Sequence, residues 1–97
     1  MSFKDIEIKD FKNRLQNQAL IIDIRDQESY NKDNIPNAIN YNSEDIINLI
    51  KEKEKNTDIV IYCYHGNSSR KVASFLSENG FNNVCSLIGG FSAWKNN

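Results

Sequence analysis

Cys63 is one of two cysteines in the chain, and its neighbours make it a candidate nucleophile. Ile59, Val60, Ile61 and Tyr62 run into it, and Tyr64, His65, Gly66, Asn67, Ser68, Ser69 and Arg70 follow. Four apolar residues without polar alternation fit a strand covered on both faces, as in parallel α/β sheets. Cys63 then leaves that strand at its carboxyl end, where open α/β sheets place their ligands. Ser68 and Ser69 supply N-cap chemistry, and Val72, Ala73 and Leu76 give a helical face that stops at Asn79-Gly80. The helix therefore begins close to the sulfur.

That placement has a chemical consequence. A helix N-terminus carries partial positive charge and unpaired N–H groups, and a loop of small residues with Gly66 can turn further N–H groups inward as an anion-binding nest. The anion favoured there is a thiolate. A free thiol titrates near ~8.5, but helix N-termini and nearby cations lower that to roughly 3.5 to 7.5, which would leave Cys63 ionised and nucleophilic at neutral pH. The competing reading is an inert packing cysteine. A flanking Gly-Asn-Ser-Ser loop argues against it, because packing alone does not need one.

The elements that must position this thiol fit one small domain. The 97 residues, 39% hydrophobic, are enough for a single core, and nothing in the chain marks a linker, so residues 1–97 are expected to form one domain. A net charge of -1 leaves no electrostatic footprint for nucleic acid or anionic membrane. Met1-Ser2-Phe3-Lys4-Asp5 lacks the apolar stretch of a signal peptide and no run reaches transmembrane length, so a soluble, cytoplasmic protein is expected. Cys63 and Cys85, 22 positions apart, match neither a zinc template nor a disulfide-dense framework, and no metal site is expected.

In chain order, Ile6 and Ile8 flank Glu7 in a short edge strand, and Asp10 caps a helix through Phe11 and Leu15. Ala19 to Ile24 read as a second buried strand with Asp23 and Arg25 at its end, and Asp26 caps a short helix containing Tyr30. Pro36 breaks the helical pattern, and Ile35 to Asn40 give a brief third strand. Ser43, Glu44 and Asp45 open a helix whose apolar positions Ile46, Ile47, Leu49 and Ile50 precede the solvated run Lys51 to Lys55. The Cys63 strand and its helix follow, then Val84 to Ile88, a Gly89-Gly90 turn and a last helical turn from Phe91 to Trp94. Alternating strands and helices predict a three-layer α/β/α sheet.

Four segments in this order resemble the rhodanese domain family from about Ala19 to Trp94. They are Asp23-Ile24-Arg25, Ile35-Pro36-Asn37-Ala38-Ile39, Cys63 to Arg70, and Gly89-Gly90-Phe91-Ser92-Ala93-Trp94. The loop after Cys63 is especially similar to that of single-domain thiosulfate sulfurtransferases of the GlpE type. The resemblance implies a rhodanese-like fold with a five-stranded parallel sheet in the order 3-2-4-5-1 or its reverse. It also implies that Cys63 takes sulfane sulfur from a donor such as thiosulfate, holds it as a persulfide, and passes it to cyanide or a thiol. A protein acceptor is compatible with that chemistry. Two departures stand out: Asp33-Asn34 replaces the Gly-His that family members commonly carry before Ile-Pro, and Ser68 stands where many have arginine.

The remaining candidates each carry two readings. His65 adds positive charge or a hydrogen bond near the donor, or is a solvent-facing loop residue. Arg70, in the first turn of the helix, is expected to steer an anion rather than serve as an exposed helical cation. Tyr64 to Arg70 are thus the expected cradle, Asp23 and Arg25 are expected to brace the loops structurally, and Cys85 and Trp94 read as core. Two other functions stay open: a rhodanese-like phosphatase or arsenate reductase, and a non-catalytic binding or sensor module. Phosphate chemistry of the Cys-x5-Arg kind needs arginine six positions after the cysteine, and position 69 is serine. No cofactor is expected, since covalent sulfur transfer needs only the thiolate and its cradle.

Overall fold

A computed structural model describes residues 3–96. The chain runs through β1 (Lys4–Ile6), α1 (Ile8–Asp10) with a π-helical continuation (Phe11–Leu15), β2 (Leu20–Asp23), α2 (Gln27–Lys32) and β3 (Ala38–Asn40). It continues through α3 (Ser43–Glu52), β4 (Ile59–Tyr62), α4 (Ser68–Glu78), β5 (Val84–Leu87) and α5 (Gly90–Lys95). The five strands form one sheet in the order β1-β5-β4-β2-β3, every pairing parallel. Read from the opposite edge, this is the expected order.

Side-chain alternation splits the core between the two faces of the sheet. Ile21, Val60, Tyr62 and Leu87 pack with Phe11 and Phe91 on one side, and Ile22, Ile59, Ile61 and Val84 pack with Leu49, Ala73 and Leu76 on the other. The expected three layers result, with α3 and α4 on the second face. All four β4 side chains are buried, which is why that strand reads as a continuous apolar run. Each fully buried aliphatic side chain stabilises by about 1.5–3 kcal/mol relative to exposure, so this strand is a rigid mount for the thiol that follows it.

Several boundaries differ from the sequence reading. The first helix starts at Ile8, not after Asp10, because Ile8 and Phe11 both turn into the core. A bond from the Gln16 N–H to the Phe11 carbonyl, 2.9 Å, widens the next turn to π geometry. α3 opens at Ser43 as expected, and its cap is the preceding Asn42: Asn42 and Asp45 exchange side-chain and backbone bonds in a capping box. Asp26 caps α2 as expected, accepting from the Ser29 N–H. Asn34, at the family's histidine position, donates to the Tyr30 carbonyl at 2.9 Å and so closes the end of α2 with a different side chain.

The turn between β5 and α5 leaves no room for side chains at its glycines. Gly89 and Gly90 both have positive φ, 76° and 59°. A Cβ on Gly90 would collide with the Cys63 carbonyl and come within 2.8 Å of the Tyr64 backbone. That glycine therefore sets how closely α5 approaches the segment after β4. Gly90→Ala is expected to destabilise the fold by about 2–4 kcal/mol through backbone overlap added to left-handed strain. Thermal or denaturant unfolding measures this; unchanged stability would show that the two segments separate without cost.

Candidate active site

The segment after β4 folds back over its own first side chain. Gly66, at φ 94°, directs its N–H to the Cys63 sulfur at 3.1 Å, and the Ser69 N–H reaches the same atom at 3.3 Å. The Ser69 hydroxyl lies 3.4 Å from it. Ser68 and Ser69 were the expected caps of α4, yet neither caps it. The N-cap residue is Asn67, whose side chain makes no capping bond. One free N–H of the first turn goes to sulfur instead, so Cys63 itself is an acceptor at the helix N-terminus.

Cys63 is 7% exposed, and burial on its own raises a thiol pKa. The Ser69 hydroxyl outweighs part of that, and the N–H groups of Ser69, Gly66 and His65 add to it, so the thiol titrates below its ordinary value. Cys85 shows the opposite balance: burial dominates and its thiol is pushed up. The two cysteines also cannot meet. Cys85 pairs in register with Val60, three residues before Cys63, and that spans about 10 Å along a strand. Its side chain packs with the Phe11 and Phe91 face, whereas Ser86 turns toward α4.

The other expected cradle residues are distributed around the rim. Tyr64 and His65 are exposed, as are Asn67 and Ser68. His65 Nδ1 lies 3.1 Å from the Ser92 Oγ, which orients the ring against α5. Arg70 is exposed, ion-pairs with Asp5 of β1, and lies 5.1 Å over the Phe3 ring. Among the described residues, the hydrogen bonds of Tyr64, Asn67, Ser68 and Arg70 do not include the sulfur. The expected convergence is thus narrower than the whole loop. It rests on Gly66 and Ser69, with His65 contributing through its backbone.

Asp23 and Arg25 form a buried ion pair, 2.7 Å from Nη2 to Oδ2. The Arg25 N–H also donates to Asp23 Oδ1 at 2.8 Å, and Nη2 to the Asp33 carbonyl at 2.6 Å. The guanidinium lies 4.1 Å from the Phe91 ring and 4.9 Å from the Tyr64 ring. Arg25 thereby links the end of β2 to both the loop and α5. The sequence reading assigned no role to three further groups: the Phe91 and Ser92 N–H groups and the Ser86 hydroxyl. The Phe91 N–H donates to the Cys63 carbonyl at 2.8 Å and the Ser92 N–H to the Tyr64 carbonyl at 3.0 Å, stapling the loop to α5. The Ser86 hydroxyl meets that of Ser69 at 2.8 Å. The available signal for Ser86 was a lone hydroxyl between Cys85 and Leu87 in an otherwise apolar strand.

A buried thiol at the carboxyl edge of a parallel sheet, capping a helix through a glycine-bearing loop, defines a class of cysteine-cradle domains. The family model for the rhodanese-like domain matches residues 7–97, and the chain belongs to that family. It is 39% identical over 94 residues to a protein of Shewanella oneidensis named thiosulfate sulfurtransferase GlpE, covering 96% of this chain and 93% of that one. A Pseudoalteromonas translucida protein of the same name is 42% identical, covering 98% and 91%. Among solved structures, a rhodanese-like domain protein from Staphylococcus aureus superposes with TM-score 0.80 at 31% identity, covering 94% of this chain and 90% of that one.

The opposed environments of the two thiols give a direct test. Alkylation of Cys63 should show a midpoint below that of an ordinary free thiol and that of Cys85 a midpoint above it. Mass analysis of each cysteine peptide across a pH series separates them. The same asymmetry acts on stability: the depressed Cys63 value stabilises the fold above the unfolded thiol pKa, and that contribution is lost as pH falls through the folded value. Coincident midpoints at the ordinary value would remove the anion-stabilising role of the loop.

Proposed function

We propose that the chain is a thiosulfate sulfurtransferase in which Cys63 carries the transferred sulfur, with residues 1–97 acting as a single rhodanese-like domain. The observation that carries this reading is the Cys63 sulfur held by the Gly66 and Ser69 N–H groups at the start of α4. The names of the curated relatives support the donor. In the first half-reaction the Cys63 thiolate attacks the outer sulfur of thiosulfate. A new S–S bond forms, the donor's S–S bond breaks, and sulfite departs with the electron pair. Cys63 is left as a persulfide anion in the site that held the thiolate.

In the second half-reaction a cyanide ion or an acceptor thiolate attacks the outer persulfide sulfur, and Cys63 leaves as the thiolate. The product is thiocyanate or a new persulfide, and no electrons are gained or lost overall. Besides the Cys63 thiolate itself, this chemistry asks the protein for hydrogen-bond donors to sulfur. A thiol that must remain reduced suits a cytoplasmic setting, and among the described residues no helix is long and apolar enough to cross a membrane.

Phosphate chemistry is less well served by this loop. The sixth residue after the cysteine is Ser69, whose N–H donates to the sulfur and whose hydroxyl lies 3.4 Å from it. The next residue, Arg70, is engaged by Asp5. Among the described residues, no guanidinium is thereby directed at the equatorial oxygens of a phosphoryl group.

Incubation with thiosulfate should add one sulfur atom to the intact mass of the parent protein and of Cys85→Ser, and none to Cys63→Ser. Steady-state kinetics with cyanide or a thiol should be ping-pong, and aryl phosphate should not be hydrolysed at a comparable rate. Efficient aryl phosphate turnover without the sulfur adduct would replace this assignment with the phosphatase one. Equal losses in the two cysteine variants, both folded, would replace the single nucleophile with a relay.

A further inference from the structure

Two hydroxyls stand in line behind the Cys63 sulfur. Ser69 Oγ is 3.4 Å from the sulfur and 2.8 Å from Ser86 Oγ. Both serines are shut off from water, at 0% and 1% exposure, so neither hydroxyl can exchange its partner for solvent. Among the described residues, the Ser86 hydroxyl has Ser69 as its one side-chain partner. A hydroxyl carries one hydrogen and turns to suit its surroundings. When the sulfur bears a proton, S–H can donate to Ser69 and Ser69 to Ser86. When the sulfur is an anion, both hydrogens must point the other way: Ser86 donates to Ser69, and Ser69 donates to sulfur.

We propose that Ser86 is a positioning residue for the sulfur chemistry, its hydroxyl holding that of Ser69 turned toward the Cys63 sulfur whenever that sulfur is negatively charged. Ser86 does not touch the sulfur; it acts through Ser69. In the absence of Ser86, Ser69 donates to sulfur with no donor behind it, and polarisation along the pair is lost. The inference rests on the reading that an anionic Cys63 sulfur is the working state of the site.

Other groups on the surrounding elements do not substitute for this pair. They are Asp5 on β1, Asp23 and Arg25 at the end of β2, Tyr62 on β4, Tyr64 and His65 on the loop, Arg70 and Lys71 on α4, and Lys95 on α5. Asp5 pairs with Arg70, Asp23 with Arg25, and Lys95 with Asp33. Among the described residues, none of these side chains hydrogen-bonds the hydroxyl of Ser69 or Ser86.

The test uses Ser86→Ala, Ser69→Ala and the double variant in a Cys85→Ser background, each checked for cooperative unfolding. The probe is iodoacetamide, and the reading is the rate of Cys63 alkylation against pH. Below the thiol midpoint, Ser69→Ala should slow alkylation roughly tenfold and Ser86→Ala roughly threefold, in keeping with hydrogen bonds to a charged group. The double variant should match Ser69→Ala alone, the non-additivity expected of one residue acting through another. Ser86→Thr, which keeps the hydroxyl, should react as the parent does. Should Ser86→Ala fail to fold, Ser86→Gly carries the same comparison. Parent-like alkylation in the variant lacking the hydroxyl, or a double variant showing the product of the two losses, overturns the proposal. Alkylation needs no sulfur donor, so the result stands apart from whether thiosulfate leaves a sulfur on Cys63.

Discussion

In the proposed function, holding negative charge on a buried sulfur is the constraint on which the rest of this structure depends. Burial opposes the thiolate, and at 7% exposure water can offset little of that. The protein must therefore supply donors in fixed positions before any substrate arrives, which is the condition for electrostatic preorganisation. Gly66 and Ser69 do so with backbone N–H groups. A backbone N–H can be held in place only if the backbone is held. The fold outside the loop is largely an answer to that requirement.

Three contacts fix the loop from different sides. β4, buried on both faces, fixes where Cys63 begins. The first N–H groups of α5 take the carbonyls of Cys63 and Tyr64, so the peptide planes beside the sulfur cannot rotate independently. Arg25, itself fixed by Asp23, packs against Tyr64 and Phe91. A buried ion pair of this kind adds little net stability but is costly to break from one side. Its value here is geometric, because it couples the end of β2 to the loop and to α5. The close approach of α5 is allowed only by the missing side chain at Gly90.

The sheet was legible in the sequence because burial on both faces leaves an unmistakable mark: Ile59 to Tyr62 and Leu20 to Ile22 have no polar alternation. The strand order came from the family resemblance rather than from periodicity, which says nothing about neighbours. Helix ends were less legible. Asn42 and Ser43 are both good caps, and only the Asp45 side chain returning to the Asn42 N–H decides between them. Ser68 and Ser69 looked like caps of α4, since a sequence pattern cannot show a sulfur taking the acceptor's place. Cys63 was legible from strand, loop and helix signals in succession. Ser86 was not, because its partner Ser69 is 17 positions away and only the β4–β5 pairing and the packing of α4 bring them together. The pairing of Arg70 with Asp5 was hidden for the same reason: the two lie 65 positions apart.

The nature of the donors around the sulfur also bears on turnover. The groups hydrogen-bonded to it are neutral dipoles, and the cations Arg25 and Arg70 are each paired with a carboxylate. A full positive charge in the ring would stabilise a thiolate more strongly, but it would hold a departing sulfite dianion more strongly still, since Coulomb attraction grows with the ligand's charge. Neutral dipoles favour a compact anion in their focus and fall off faster with distance than a charge does. In the proposed cycle they can support the thiolate and the persulfide, each carrying one negative charge, while leaving the oxyanion product free to escape.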